Sequence, residues 1–328
     1  MDWKKQIRTG RAALAALFLA GICWAGPPQK NHFDDPQTCL TCHVTQHAEW
    51  QGSMMHYSAE SPVFQVFELT TRKLTGRFGA HDRQNPTFCI NCHSPTAAYR
   101  NEMLKLKKPQ PSIELMSENS KQGIHCTMCH SVREPDKSVD VKKGALGDAI
   151  SNAAFVFFPT AQWVGPTSTA PLPKSNEYHA EGFWPEKSSS DYLKSSEFCG
   201  SCHNVHVPNT ADTVTGQPFQ RMENLFTEWK EGPYNSPRNP TGKVVSCQDC
   251  HMSLYGGRDA SGAFYPPGTY PTARIAKGFD VERKHALHSF TAASRALLDE
   301  PARFPNQDTS DKDSFGYPLG QEQRRAAM

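Results

Sequence analysis

Hydrophobic positions along this chain cluster at the start and then scatter. Residues Ala12 to Ile22 are almost wholly apolar, with Lys4, Lys5, Arg8 and Arg11 before them and small Ala25 and Gly26 after. That layout predicts a secretory signal peptide over residues 1–25, and its apolar run is too short for a transmembrane span. Beyond it, helical periodicity comes in short pieces. "SPVFQVFELTTRKLTG" offers Ser61 as a cap, Pro62 at the first helical position and Gly76 as a stop, which predicts a helix of three to four turns. "SPTAAYRNEMLKLKK" (94–108) repeats the Ser-Pro opening, and "VERKHALHSFTAASRALLDE" (281–300) reads as the last helix. No stretch alternates well enough for a large sheet. The Pro- and aromatic-rich residues between 131 and 198 predict an extended segment, and the polar, aperiodic residues 301–328 a mobile tail.

Only 37% of the residues are hydrophobic, few for a chain that must bury a core of its own. The cysteines resolve the difficulty. C-x-x-C occurs five times, as "CLTCH" (39–43), "CINCH" (89–93), "CTMCH" (126–130), "CGSCH" (199–203) and "CQDCH" (247–251), and each copy is followed directly by His. With 14 His in 328 residues, chance supplies His at such a position roughly 4% of the time. A zinc ribbon has no use for that His or for an odd fifth pair, and disulfide frameworks belong mainly to short secreted chains.

C-x-x-C-H is the attachment signature of c-type haem. Two thiols at this spacing reach the two vinyl groups of a porphyrin, and the following imidazole lies beneath the iron. Five covalently bound haems c are therefore expected at Cys39/Cys42, Cys89/Cys92, Cys126/Cys129, Cys199/Cys202 and Cys247/Cys250. Their proximal ligands are His43, His93, His130, His203 and His251.

The motifs start 50, 37, 73 and 48 residues apart, too close for separate globules. The expected architecture is mainly α with extensive irregular loops: one compact multihaem unit over 26–300, organised around its cofactors and unable to fold without them. The eleventh cysteine, Cys23, leaves with the signal peptide. "LAGIC" approaches a lipoprotein box, but Ile22 stands where a small residue is wanted, so a lipid anchor ranks below simple export to the periplasm, as does the cell exterior. After cleavage 31 basic and 32 acidic side chains remain, without the basic excess of a nucleic-acid partner.

Nine His lie outside the motifs, enough to supply a distal ligand to every iron. His47 and His206 follow their proximal neighbours too closely to cap the same haem, though each can reach another. His125, just before Cys126, can reach an adjacent stacked haem. "HAEWQGSMMH" after the first motif is also echoed by "FTEWKEGPYN" before the last, with Tyr234 and Asn235 where the first copy ends in His56.

"CLTCHVTQHAEWQGSMMH", "FCINCHSP", "GIHCTMCHSV", "SSEFCGSCHNV", "TEWKEGPY" and "CQDCHM" together resemble the cytochrome c-554/c-552-like multihaem cytochromes, from about residue 37 to 291. The resemblance implies periplasmic electron transfer, with His56 and His288 as distal ligands and His179 next. His125 and His206 complete the candidate set on local geometry. The family's namesake has four haem motifs and this chain five, so the pairing of distal His with haem does not carry over. Expected partners are a quinol-oxidising membrane enzyme, a terminal reductase or an outer-membrane conduit, and an oligomer is open. The alternative is an oxidoreductase with one open haem acting on a small nitrogen or sulfur compound, although no C-x-x-C-K motif is present.

Overall fold

The computed structural model describes residues 33, 35–75, 88–105, 111–136, 150–158, 187–207, 220–239, 241–278 and 282–291. The expected signal peptide, His179, most of the Pro- and aromatic-rich segment and the C-terminal tail lie outside the described residues. Among the described residues no helix is long and apolar enough to cross a membrane.

Short helices joined by irregular loops carry the structure. In chain order they are α1 Pro36–Leu40, α2 Val44–Gln51, α3 Met54–Tyr57, α4 Pro62–Thr75, α5 Ile90–His93, α6 Pro95–Tyr99, α7 Glu118–Lys121, α8 Cys126–His130, α9 Lys187–Leu193, α10 Ser196–Gly200, α11 Leu225–Glu231 and α12 Cys247–His251. Three antiparallel ribbons accompany them: β1 Val132–Pro135 with β2 Phe155–Phe157, β3 Val205–Val207 with β4 Gln220–Glu223, and β5 Thr272–Arg274 with β6 Glu282–Lys284.

The long helix α4 begins where its Ser-Pro signal places it, and the Ser61 hydroxyl accepts from the Phe64 amide at 3.4 Å. The second Ser-Pro helix is shorter than its pattern predicts. α6 stops at Tyr99 because Asn101 turns left-handed at φ 55°, and a 3₁₀ turn over Glu102–Lys105 follows. The turn drives Glu102 inward, where its carboxylate accepts from the Ser117 amide and from the hydroxyls of Ser117 and Ser120 at 2.8–3.0 Å. The expected helix over 281–300 is corrected across its described part. Glu282–Lys284 is a strand paired with Thr272–Arg274, and 285–291 is irregular. Cross-strand pairing there outweighs a helical pattern that only tertiary contacts can confirm.

Buried apolar side chains do not form one core. One cluster gathers Ala59, Phe64, Ile90, Ala97, Met103 and Met116, and another gathers Phe33, Met128, Val132 and Tyr192. Buried Ser and Thr separate them, including Ser94, Thr96, Ser112, Ser120 and Ser201. A chain this poor in apolar residues needs other apolar surface to fill its interior.

The faint sequence echo is a real structural repeat. Trp50 Nε1 donates to the Ile124 carbonyl at 2.7 Å, and Trp229 Nε1 donates to the Val245 carbonyl at the same distance. In return the Ile124 amide donates to Met55 O and the Val245 amide to Tyr234 O, both at 2.9 Å. Ile124 and Val245 each lie two residues before a motif cysteine, so each tryptophan clamps the chain entering a C-x-x-C-H turn. The final side chain of each copy closes on the residue after the tryptophan. His56 Nδ1 bonds Gln51 O at 3.1 Å, and Asn235 Nδ2 bonds Lys230 O at 2.9 Å.

Candidate haem sites

Each motif is a single helical turn. The His amide bonds the carbonyl of the first Cys at 2.8 Å for His43, 3.2 Å for His93 and 3.0 Å for His203, and α8 and α12 each run from the first Cys to the His. Positions i, i+3 and i+4 share one side of such a turn, so both sulfurs and the imidazole face one way. In α12 the turn is locked by a capping box, in which the Ser246 hydroxyl accepts from the Asp249 amide and the Asp249 carboxylate from the Ser246 amide.

The imidazoles are oriented from behind. His43 Nδ1 lies 2.7 Å from Ile275 O, His93 Nδ1 3.1 Å from Ser58 O, His251 Nδ1 2.8 Å from Thr291 O, and His203 Nδ1 2.6 Å from Glu223 Oε1. A carbonyl or carboxylate oxygen only accepts, so Nδ1 carries the proton and Nε2 keeps its lone pair for a metal. This backing partner is the usual companion of a metal-bound histidine. Phe64 also stacks on His93 at 3.9 Å with planes 9° apart, fixing the ring's rotation.

The fifth proximal candidate, His130, faces His288, with ring centroids 6.4 Å apart and planes 21° apart. Two imidazoles bonded at about 2 Å to opposite sides of one metal place their centroids roughly 6 Å apart. His288 is held from α2: Glu49 Oε2 accepts from its amide at 2.9 Å, and the same carboxylate accepts from His285 Nε2 at 2.9 Å. Burial, and next the neighbouring His130, pull His288 down to about 4, which keeps it in the neutral form that binds metals. Its Nδ1 is buried without a hydrogen bond.

The other distal candidates divide. His56 is anchored through Nδ1 on Gln51 O, like the proximal set. His206 is buried in β3, with its backbone tied to the Asn152 side chain and its ring pulled down to about 4, first by burial and then by Arg221. His125 finds no support as a ligand in this geometry, because Thr96 Oγ1 lies 2.8 Å from its Nε2 and Thr127 Oγ1 3.3 Å from its Nδ1. A side chain with both nitrogens engaged serves as a core hydrogen-bonding group. His47 fits a ligand better than its position alone suggests, since it is 2% exposed and its Nε2 has no hydrogen-bond partner. Such a buried orphan nitrogen costs about 1–3 kcal/mol unless something binds it.

The motif sulfurs converge, standing here as free thiols for the thioethers of a loaded protein. Cys199 hydrogen-bonds Cys247, which pushes Cys199 up and pulls Cys247 down to about 6. Cys202 hydrogen-bonds Cys92 and is pushed up by that bond and by burial, while burial alone pushes Cys129 up to about 12. The fourth motif therefore touches the second and the fifth at their sulfur edges. Cys42 differs in being disulfide-bonded, so its thiol must be released by reduction before it forms a thioether.

Gly200, inside the fourth motif, is required by packing. A Cβ there would lie 2.5 Å from Phe226 Cγ and 2.8 Å from Ile150 Cγ2, and Phe226 is itself 3% exposed. Gly200→Ala is expected to cost about 1–3 kcal/mol by overpacking, read as a lower thermal midpoint with the other motifs' spectra unchanged.

Several of the backing groups leave no readable signal in the sequence. Ile275, Ser58 and Thr291 act through backbone carbonyls, which every residue has, while Glu223 and Glu49 are single carboxylates among 33 acidic residues.

One-turn helices presenting two cysteines and a backed histidine, repeated and in mutual contact, define a multihaem c-type cytochrome. Residues 38–131 match the family described as cytochrome c554 and c-prime. The chain is also similar to the crystal structure of a penta-heme cytochrome c552 from Thermochromatium tepidum, at 18% identity and a TM-score of 0.48 over 82% of this chain, and it spans 60% of that protein's length. No curated protein sequence matches. The findings support the c-554/c-552-like multihaem cytochromes as the family of this chain, with haem c as its cofactor and electron transfer as the function that the family suggests.

Proposed function

We propose that the protein is an exported pentahaem c-type cytochrome that passes electrons through closely packed, mostly bis-His haems between respiratory redox partners. The observation that carries this reading is the opposed pair His130 and His288, 6.4 Å apart and nearly parallel, the separation two imidazoles need to enclose one iron. Contact between the sulfurs of the second, fourth and fifth motifs supports short steps from haem to haem. Bis-His ligation sets low potentials relative to Met/His haems, suited to exchange with a quinol-oxidising membrane enzyme, a terminal reductase or an outer-membrane conduit. The periplasm is the compartment in which the predicted signal peptide would deliver it.

Low-temperature electron paramagnetic resonance of the oxidised protein, integrated against a pyridine haemochrome count, tests the proposal. Five haems per chain, all low-spin ferric, is the expected result. Fewer than five haems, or mostly high-spin signals, would overturn it.

An open haem is the second reading, and one observation favours it. Asn235 occupies in the second copy of the tryptophan clamp the place that His56 occupies in the first, and an amide there does not ligate iron as an imidazole does. On this reading a single high-spin component appears and binds nitric oxide or hydroxylamine. Asn235→His then converts that component to low spin, and an unchanged spectrum in this variant removes the reading.

A further inference from the structure

The histidines of the haem motifs are not backed alike. His43, His93 and His251 lean on the carbonyls of Ile275, Ser58 and Thr291, whereas His203 leans on the carboxylate of Glu223 at 2.6 Å. Regular structure builds this contact. β3 starts two residues after His203, its Val205 is in register with Glu223 at the end of β4, and the Phe226 amide bonds His203 O at 3.0 Å from the start of α11. Glu223 is therefore delivered by a sheet and a helix end rather than by a flexible loop. The two side chains are 40% and 35% exposed, so water screens part of the charge without removing it.

A charged acceptor changes the ligand in a way a neutral carbonyl does not. Charge-assisted hydrogen bonds are about twice as strong as neutral ones, and a carboxylate draws the Nδ1 proton toward itself, which makes Nε2 a stronger donor. Ferric iron carries one more positive charge than ferrous iron. It gains more both from the stronger donor and from the nearby anion, so the oxidised state is favoured and the potential falls.

We propose that Glu223 is a positioning residue that sets the reduction potential of the haem bonded to Cys199 and Cys202 below those of the haems backed by carbonyls. The fourth motif touches the second and fifth through Cys202–Cys92 and Cys199–Cys247. A low potential at this meeting point makes the fourth haem the last of the group to be reduced and the first to give its electron to either neighbour. The proposal rests on haem binding at this motif, as proposed above.

The test is a spectroelectrochemical titration of the purified, haem-loaded protein and its Glu223→Gln variant, each with a haemochrome count. A full count in both proteins secures haem binding independently of the potential. The expected result is that the lowest component, about one-fifth of the absorbance change, rises by about 60 mV, a tenfold change in its ferric-to-ferrous ratio at fixed potential. A smaller rise is expected at the His93 haem, whose imidazole feels the same carboxylate. A superimposable titration, or an equal shift of every component, would overturn the proposal. Should the Gln variant lose haem, Glu223→Asp serves the same measurement: withdrawing the carboxylate by one methylene is expected to raise the component by less, and an unmoved component overturns the proposal as well.

Discussion

Replacing His288 with alanine is expected to convert one low-spin ferric haem, about one-fifth of the total by motif count, into a high-spin species that binds added cyanide or imidazole. The expectation follows from the pairing of His288 with His130 across 6.4 Å and from the absence of a hydrogen bond on its buried Nδ1. Loss of one imidazole donor weakens support of the ferric state, so the potential of that haem rises. Free imidazole at millimolar concentration should restore the low-spin spectrum by entering the vacated position, a rescue that a general folding defect would not show. An unchanged electron paramagnetic resonance spectrum in His288→Ala would falsify the pairing. Glu49→Gln makes a milder companion variant, since it weakens the support of the His288 amide and His285 without removing the ligand. Its haem is expected to stay low-spin with a shifted potential.

Gly123→Ala is the substitution with the largest expected cost in stability, roughly 3 kcal/mol, seen as a fall in thermal midpoint of about 6–12 °C. Gly123 adopts φ +66°, where a side chain costs about 1–2 kcal/mol. Its Cβ would also meet the backbone oxygens of His56 and Met55, each at 2.7 Å, and the Ser58 hydroxyl. Backbone atoms cannot swing aside as a long side chain does, and forced displacement in a packed site adds about 1–3 kcal/mol. The effect is centred where α3 meets the chain entering the third motif, through the bonds of Ile124 to Met55 and Trp50. Haem loading at Cys126/Cys129 should therefore suffer before loading at Cys247/Cys250. A Gly123→Ala protein that melts with the parent chain would sink the assignment.

Much of the site is legible in the amino-acid sequence. The C-x-x-C-H spacing is a local property, since one helical turn suffices to align two sulfurs and an imidazole, and all five motifs form such turns. The Ser61-Pro62 start of α4 is local in the same sense, as is the echo around Trp50 and Trp229. Local patterns mislead where distant partners decide. The 94–108 pattern breaks at Asn101 because Glu102 is wanted by Ser117 and Ser120, and the 281–300 pattern yields to a strand because Thr272–Arg274 lies alongside. His125 and His288 look alike as candidates in the sequence. Two threonine hydroxyls take up the first, whereas a carboxylate on α2 presents the second to His130.

Residue types at short spacings dictate the cofactor chemistry, the number and proximal ligands of the motifs, and the shortage of apolar residues that a haem core must make good. Bond lengths leave few choices over one helical turn, so these properties are written in the chain itself. Long-range packing alone settles which histidine faces which, which motif sulfurs meet, and that Glu223 rather than a carbonyl stands behind His203. Those outcomes depend on contacts between residues from 20 to more than 230 positions apart, as in the bonds of His203 to Glu223 and His43 to Ile275. No local pattern encodes them, because a backbone carbonyl or a lone carboxylate looks the same in sequence wherever the fold carries it.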